Sequence, residues 1–345
     1  MAVLFVQARD IQSEGFFALQ SSLGKIKFLL QYAVLAPSTH NSQPWLFKIG
    51  ESSVKIYFDP SKQIIEADPI GRDLYISFGC CLANLELASR YFNVYDHTAD
   101  HGGREDNLIA EVFFRNLEKR TAVDSTLRHL VEAIPRRINA RGIFEKRTPS
   151  GEIIKRMRLL DGFPGLELHF ISDAEKIRQL ASLTAEGLQI AYAKSSFRKE
   201  MAQWVHSSFS RKREGIPGYS LRISALLSVA FPTLVRFFNI GKRVGLLNYT
   251  SIVSAPLVCV ISASENFFRT WLNVGRLFER IALEATANGL ATSIFAAAIE
   301  MGELYRKVQA AISTNHIPQL LFCVGYMREI QKPNLRYSVE EKLIQ

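Results

Sequence analysis

The sequence predicts an α+β protein made of two degenerate units in tandem, and three observations lead there. A segment recurs without a gap: "ISFGCCLANLELASRYFN" (76–93) aligns with "LNVGRLFERIALEATANG" (272–289), so that Gly79 falls on Gly275, 196 positions later. Each copy lies downstream of a helix-then-strand pattern and is followed by further strand-length apolar runs. The chain has 345 residues, 48% hydrophobic and 22% charged, enough for one large domain or two medium ones with a sizeable core.

In chain order, "LGKIKFLLQYAVLAP" reads as a helix that stops before Pro37, because proline biases Ala36 away from the helical region. Six polar residues, Ser38 to Gln43, then crowd between Pro37 and Pro44. Such residues suit an ordinary turn, since their side chains bond nearby backbone. They also suit a loop that presents hydroxyls and an amide to a flat polar ligand, as Asn41 carries both donors and an acceptor. Strands are expected at "WLFKIG" and "VKIYFD", then the first copy of the repeated helix, then a strand at 108–114. Both copies keep a glycine inside the helix at a cost of about 1 kcal/mol against alanine, which close helix–helix approach would explain.

The second unit repeats the scheme with "SGEIIKRMRLLDGFPG", "LELHFIS", "APLVCVIS", the second helix copy and "PQLLFCVGYM". The boundary falls in 132–141, which divides the chain into 1–131 and 132–345. Residues 207–250 are too long for a simple connection. They hold a loop-like "SSFSRKREGIPGYS" and an apolar run, 223–235, bounded by Arg222 and Arg236 and interrupted by Pro232. That run is too short to span a membrane and reads as a helix covering a core or a site.

Lys and Arg exceed Asp and Glu by nine, with 12 basic against 5 acidic residues from Arg115 to Arg158. Nucleic acid, a membrane surface or a phosphorylated small ligand could each use such charge. No nucleic-acid motif accompanies it, and neither nucleic acid nor a membrane is expected as a partner. Cys80, Cys81, Cys259 and Cys323 have no zinc spacing and read as buried, reduced thiols. His97 and His101 in "YDHTADHGG" are spaced i, i+4, but Asp100, Gly102 and Gly103 mark a loop, and no metal site is expected. Nucleotide and hydrolase fingerprints of the GxGxxG, P-loop and GxSxG kinds are absent. The start "MAVLFVQARDIQSEG" lacks a basic region before its apolar run, so a cytoplasmic location is expected.

"APSTHNSQPW" resembles the Pro-Ser-x-x-Asn-x-Gln-Pro-Trp loop of the FMN-dependent nitroreductase family, and "PRRINARGIF" resembles that family's two-arginine phosphate-binding signature. "SAPLVCVIS", "GLATSIF", "PQLLFCVGYM" and "KPNLRYSVEEKL" follow in the family's order, over nearly the whole chain. The likeness is to a single-chain branch in which two repeats imitate the family's dimer. The halves are complementary: the first has the polar loop without the arginine pair, the second the pair without the loop. One site can be assembled, and not a second.

The resemblance implies an FMN-binding oxidoreductase that uses NAD(P)H to reduce nitroaromatic or quinone-like acceptors by a ping-pong mechanism. The alternative is a protein that sequesters flavin under a lid at about 207–250. By matching positions, Arg137 is expected at the FMN phosphate and Arg141 at the ring or ribityl side, with Asn139 in the place of the family's Ser/Thr. Arg336, with Lys332 as a companion, is expected near the phosphate. Pro37, Ser38, Thr39 and Asn41 would line the ring, and Ser293, Ile294, Phe295 and Ala296 would pass it with backbone groups. No side-chain acid or base is assigned. A monomeric pseudo-dimer or a weak homodimer is expected.

Overall fold

A computed structural model describes residues 9–103, 106–119, 122–329 and 331–345. The apolar start read above, residues 1–8, lies outside the described residues. A short turn of helix, α1 (Gly15–Ala18), leads into α2 (Ser22–Ala33), whose first turn is capped by Ser21 accepting from the Gly24 N–H. After the polar loop come β1 (Trp45–Ile49) and β2 (Ser53–Phe58), paired antiparallel with Trp45 opposite Phe58. Helix α3 (Arg72–Tyr91) carries the first repeat copy, followed by β3 (Tyr95–Asp100) and β4 (Leu108–Phe114).

The second half opens with α4 (Arg128–Ala133), α5 (Gly151–Leu159) and β5 (Leu166–Ile171). Then come α6 (Ala174–Ala193) and α7 (Ser195–Trp204), the two-residue strands β6 (Val205–His206) and β7 (Ile216–Pro217), α8 (Ala225–Phe237) and α9 (Gly241–Ser254). The chain ends through β8 (Leu257–Ala263), α10 (Phe268–Ala287), β9 (Ala291–Ile294), α11 (Ala297–Glu300), α12 (Leu304–Ile312) and β10 (Ile317–Gly325).

Two four-stranded sheets result, ordered β1-β2-β4-β3 and β5-β8-β10-β9, with every neighbouring pair antiparallel. Counted within each sheet, both orders are the same: first, second, fourth, third. In both, the repeated helix joins the second strand to the third. The second sheet is buried on both faces. Leu257, Cys259 and Ile261 of β8 face the cluster formed with α2, α3 and α10, while Val258 and Val260 face α6, α7 and α12. That two-sided burial is why β8 reads as one unbroken apolar run. The division at 131/132 lies within α4.

Helices α3 and α10 cross on their glycines. A Cβ on Gly79 would stand 2.1 Å from the Leu272 carbonyl oxygen, and one on Gly275 would stand 2.1 Å from that of Ile76. Leu272 and Ile76 are themselves equivalent under the repeat, so the contact is reciprocal, as across a twofold axis. Arg276 fastens the same crossing. It is 6% exposed and pairs with Glu86 on α3 at 3.2 Å and Asp100 on β3 at 2.8 Å. Arg276→Ala is expected to lower the unfolding free energy by about 3–5 kcal/mol, because two shielded carboxylates lose their cation. Urea denaturation monitored by circular dichroism measures it.

Three readings of the sequence need correction. "YDHTAD" is an edge strand, β3, and the loop begins only at His101; its exposed, polar residues hide the strand pattern. The insertion is larger than 207–250, for α6 and α7 also lie between the first and second strands of the second sheet. The apolar run does form a covering helix, α8, but only its inner face is covered: Val235 is buried and Phe231 lines a cavity, while Leu226 is 83% and Phe237 67% exposed.

Candidate functional site

The loop after α2 turns under backbone strain. His40, Asn41 and Gln43 all have positive φ, at 54°, 57° and 51°. Ser38 holds the turn by accepting from the Gln43 N–H at 2.9 Å, and Ser77 on α3 accepts from the Thr39 N–H at 3.2 Å. The strain draws two distant segments together. The Asn41 amide donates to the carbonyls of Arg213 and Leu335 at 3.1 and 3.3 Å. Gln43 donates to the Arg213 carbonyl and accepts from the Tyr337 N–H. One loop of the first half thus pins both the insertion and the C-terminal tail. The buried Asn41 Oδ1 is left with no partner among the described residues.

Beside this loop lies a cavity of about 310 Å³, in the range of small-molecule sites. Pro37, Ser38, Thr39, Asn41, Arg137, Asn139, Arg141, Ile294, Phe295, Ala296, Lys332 and Arg336 all line it. Ser293 does not: it is a buried residue of β9 opposite Cys323, pointing away from its lining neighbours by strand alternation. The backbone groups expected beside it are also partly engaged. The Ile294 N–H donates to Asn139 Oδ1 at 3.1 Å, and the Phe295 N–H to the Leu321 carbonyl at 2.9 Å. Asn139 therefore ties β9 to its own segment rather than offering its carbonyl to the cavity.

Cations converge on the cavity. Arg137 is 1% exposed, pairs with the buried Glu279 at 2.8 Å, and donates to the Leu35 carbonyl at 2.7 Å. Arg9 donates to the carbonyls of Pro135 and Arg137. Burial, then the Arg137 charge, pulls its guanidinium down to about 10. Arg336 is lowered well below its ordinary value by burial first, then by Arg9 and Arg137, and its Nε has no partner among the described residues. Glu279, paired with Arg137 and within the field of Arg336, is in turn pushed up by burial, and Arg9 adds a third guanidinium beside them. Arg141, lowered by burial, lines the cavity near His40, whose imidazole burial pulls down to about 4 and keeps neutral at pH 7. Lys332 sits at the exposed edge with its ammonium 5.3 Å from the Tyr219 ring centre. The donor set and the orphaned Arg336 Nε and Asn41 Oδ1 fit a ligand with an anionic end and a planar polar end.

Asp73 and Glu300, assigned no role from sequence, also line the cavity. Arg72 pairs with Glu300 at 2.7 Å, and Asp68 accepts from the Leu74 N–H at 2.8 Å beneath them. Burial, then Glu300 and Asp68, raises Asp73 well above the carboxylate range; burial, then Glu300, raises Asp68 to about 6. With Glu300 beside it and little water to solvate a charge, the Asp73 carboxyl favours its protonated form. An aspartate in the first turn of a helix is ordinary in a sequence, and Glu300 is far along the chain, so nothing marks the pair. Arg9, likewise, stands alone.

A carboxyl that is raised in the folded state binds a proton the unfolded chain has lost, so it favours folding at low pH only. Stability is therefore expected to fall as pH rises from about 4 through about 6. Asp68→Asn keeps the acceptor for the Leu74 N–H and removes the charge. Relative to the parent it is expected to gain up to about 2 kcal/mol between pH 4 and 7 in urea midpoints read at both values.

No family model matches the chain. "Putative NAD(P)H nitroreductase acg" of Mycobacterium tuberculosis is 25% identical over 320 residues, 89% of this chain and 91% of that protein. "Putative NAD(P)H nitroreductase Rv3131" of the same organism is 22% identical over 306 residues, 87% and 85% of the two chains. Among solved structures, the FMN and NADPH-dependent nitroreductase NfnB of a Sphigopyxis strain aligns at TM-score 0.41 and 16% identity, over 61% of this chain and 96% of that one. Among the described residues, no helix is long and apolar enough to cross a membrane, and no cluster of three or more His, Cys, Asp or Glu could hold a metal. By sequence, this α+β chain is nitroreductase-like along 89% of its length.

Proposed function

We propose that the chain is an FMN-dependent NAD(P)H oxidoreductase that reduces nitroaromatic or quinone-like acceptors by two electrons in a ping-pong cycle. The observation that carries this reading is the excess of buried guanidinium over carboxylate beside the strained loop, in one cavity. Arg336 and Arg9 would neutralise the phosphate, since neither has an ion pair among the described residues, while Arg137 is held by Glu279 and stiffens the wall between them. Asn41 would offer Oδ1 to a ring donor. Phe278, Ile294, Phe295 and Leu320 supply apolar contact to a flat ring. When bound, FMN would supply the hydride and electron chemistry, as flavins do. Asp73, raised by burial and by the neighbouring Glu300 and Asp68, would keep a proton at the cavity wall. On this reading residues 1–131 bring the loop, and 132–345 the arginine pair and tail, as two halves of a pseudo-dimer with one site.

A second reading has a specific observation behind it. Ile216, Ser220, Leu221 and Phe231 of the insertion also line the cavity, so a roof covers part of it. Such a protein could hold flavin and turn over slowly. Two measurements separate the readings. FMN released on denaturation is expected at about one per chain; none would overturn both. Anaerobic NADPH or NADH is then expected to bleach the bound flavin band, whereas flavin that stays oxidised would favour sequestration.

A further inference from the structure

Among the described residues, nothing covers the outer faces of α8 and α9. On α8, Leu226, Val229 and Phe237 recur on one stripe and are 83%, 60% and 67% exposed, with Leu227 and Phe238 beside them. On α9 the outward positions are Lys242, Arg243, Leu246, Leu247, Thr250 and Val253, and the two leucines are 64% and 62% exposed. Scattered exposed leucines need no explanation, but large apolar side chains gathered on consecutive helices do.

Charge indicates what covers them. Between Glu214 and Glu265 the chain has no acidic residue, while Arg222, Arg236, Lys242 and Arg243 lie among the apolar positions. Arg222 is paired with Glu329; the other three have no ion pair among the described residues. A second copy of this face would bring like charges together. A polar peptide would leave the leucines and phenylalanines in water. An anionic bilayer surface satisfies both features, with cations at the headgroups and apolar side chains at the acyl boundary. The arm would lie on the surface, for neither helix is long enough to cross it.

We propose that the α8–α9 arm is a peripheral docking surface for anionic lipid. The sequence argues against a membrane because an apolar run of that length looks like core; the exposure of both helices reverses that expectation. The inner side of the same arm, through Phe231, Val244 and Asn248, lines the cavity, so docking would set the cavity roof against the bilayer.

The test is sedimentation of the full chain with vesicles of phosphatidylcholine alone and of phosphatidylcholine with phosphatidylglycerol at about three to one. Binding is expected to the anionic vesicles only and to weaken with salt. L246Q/L247Q and K242E/R243E are each expected to lower it at least tenfold, while circular dichroism and thermal midpoint stay near the parent's, as expected of exposed positions. Failure to bind anionic vesicles, or binding that neither double variant reduces, overturns the proposal. So does dimerisation in analytical ultracentrifugation that L246Q/L247Q abolishes, which would assign the face to a second copy. None of these readouts depends on flavin.

Discussion

Gly79→Val is expected to leave the protein unable to fold, and Gly79→Ala to cost more than about 4 kcal/mol, at the extreme for a single substitution. The obstacle is backbone. A Cβ at this position would stand 2.1 Å from the Leu272 carbonyl oxygen and 2.8 Å from the Gly275 Cα, with no flexible side chain to move aside. Relief requires α3 and α10 to separate, and that separation would pull Arg276 from Glu86 and Asp100 and open the core that both helices share. Helix propensity alone would favour alanine over glycine by about 1 kcal/mol, so the expected sign is opposite to what an isolated helix would give. Gly275→Ala should behave alike, because the contact is reciprocal. Soluble yield and urea denaturation measure both. A fully folded Gly79→Ala with parental stability would show that the two helices do not meet in this way.

Arg336→Ala is expected to weaken FMN binding about ten- to a hundredfold while leaving riboflavin within about threefold, because a charge-assisted bond to phosphate is worth roughly 1.5–3 kcal/mol. Arg336 is the informative choice among the arginines. Its guanidinium is repelled by Arg9 and Arg137 and has an unpartnered Nε, so its removal leaves no carboxylate stranded. Arg137→Ala removes the partner of Glu279 and the donor to the Leu35 carbonyl, which mixes loss of binding with loss of stability. Asn41→Ala is expected to weaken both ligands, and also to loosen the arm and tail that its amide holds. Flavin fluorescence quenching by titration provides the constants. Equal losses for both ligands in Arg336→Ala would remove that residue from the phosphate.

Much of this was legible in the sequence because it depends on short-range pattern. The strands at 45–49 and 108–114 and the two repeat helices follow from backbone restriction and apolar spacing, whereas the first long helix ends at Ala33, short of the stop expected at Pro37. The shared glycine offset pointed to a close helix crossing, and the crossing is there. The polar loop and the order of later motifs named residues of which all but Ser293 line one cavity. Ser293 failed for a local reason too, since alternate residues of a strand face opposite ways.

What only the tertiary structure decided is which polar groups are already used. Asn139 reads as a ligand-facing residue but is engaged by the Ile294 N–H, and Asn41 spends both donors on segments about 170 and 290 positions away. Arg137 is neutralised by Glu279, while Arg9, from the opposite end of the chain, joins Arg336 without a counter-charge of its own. Asp73 meets Glu300 across 227 positions, and burial together with that neighbour, a property of neither segment alone, raises the Asp73 carboxyl. Side-chain identity fixes what a group can donate or accept; only the packing of distant segments determines whether a partner has already taken it, and how much water is left to solvate its charge. The same holds for the arm at 223–254. Its apolar composition was plain from the residues, but whether those side chains face a core or solvent depends on what the rest of the chain stacks against them, and no described residue stacks on the outer side of α8 and α9.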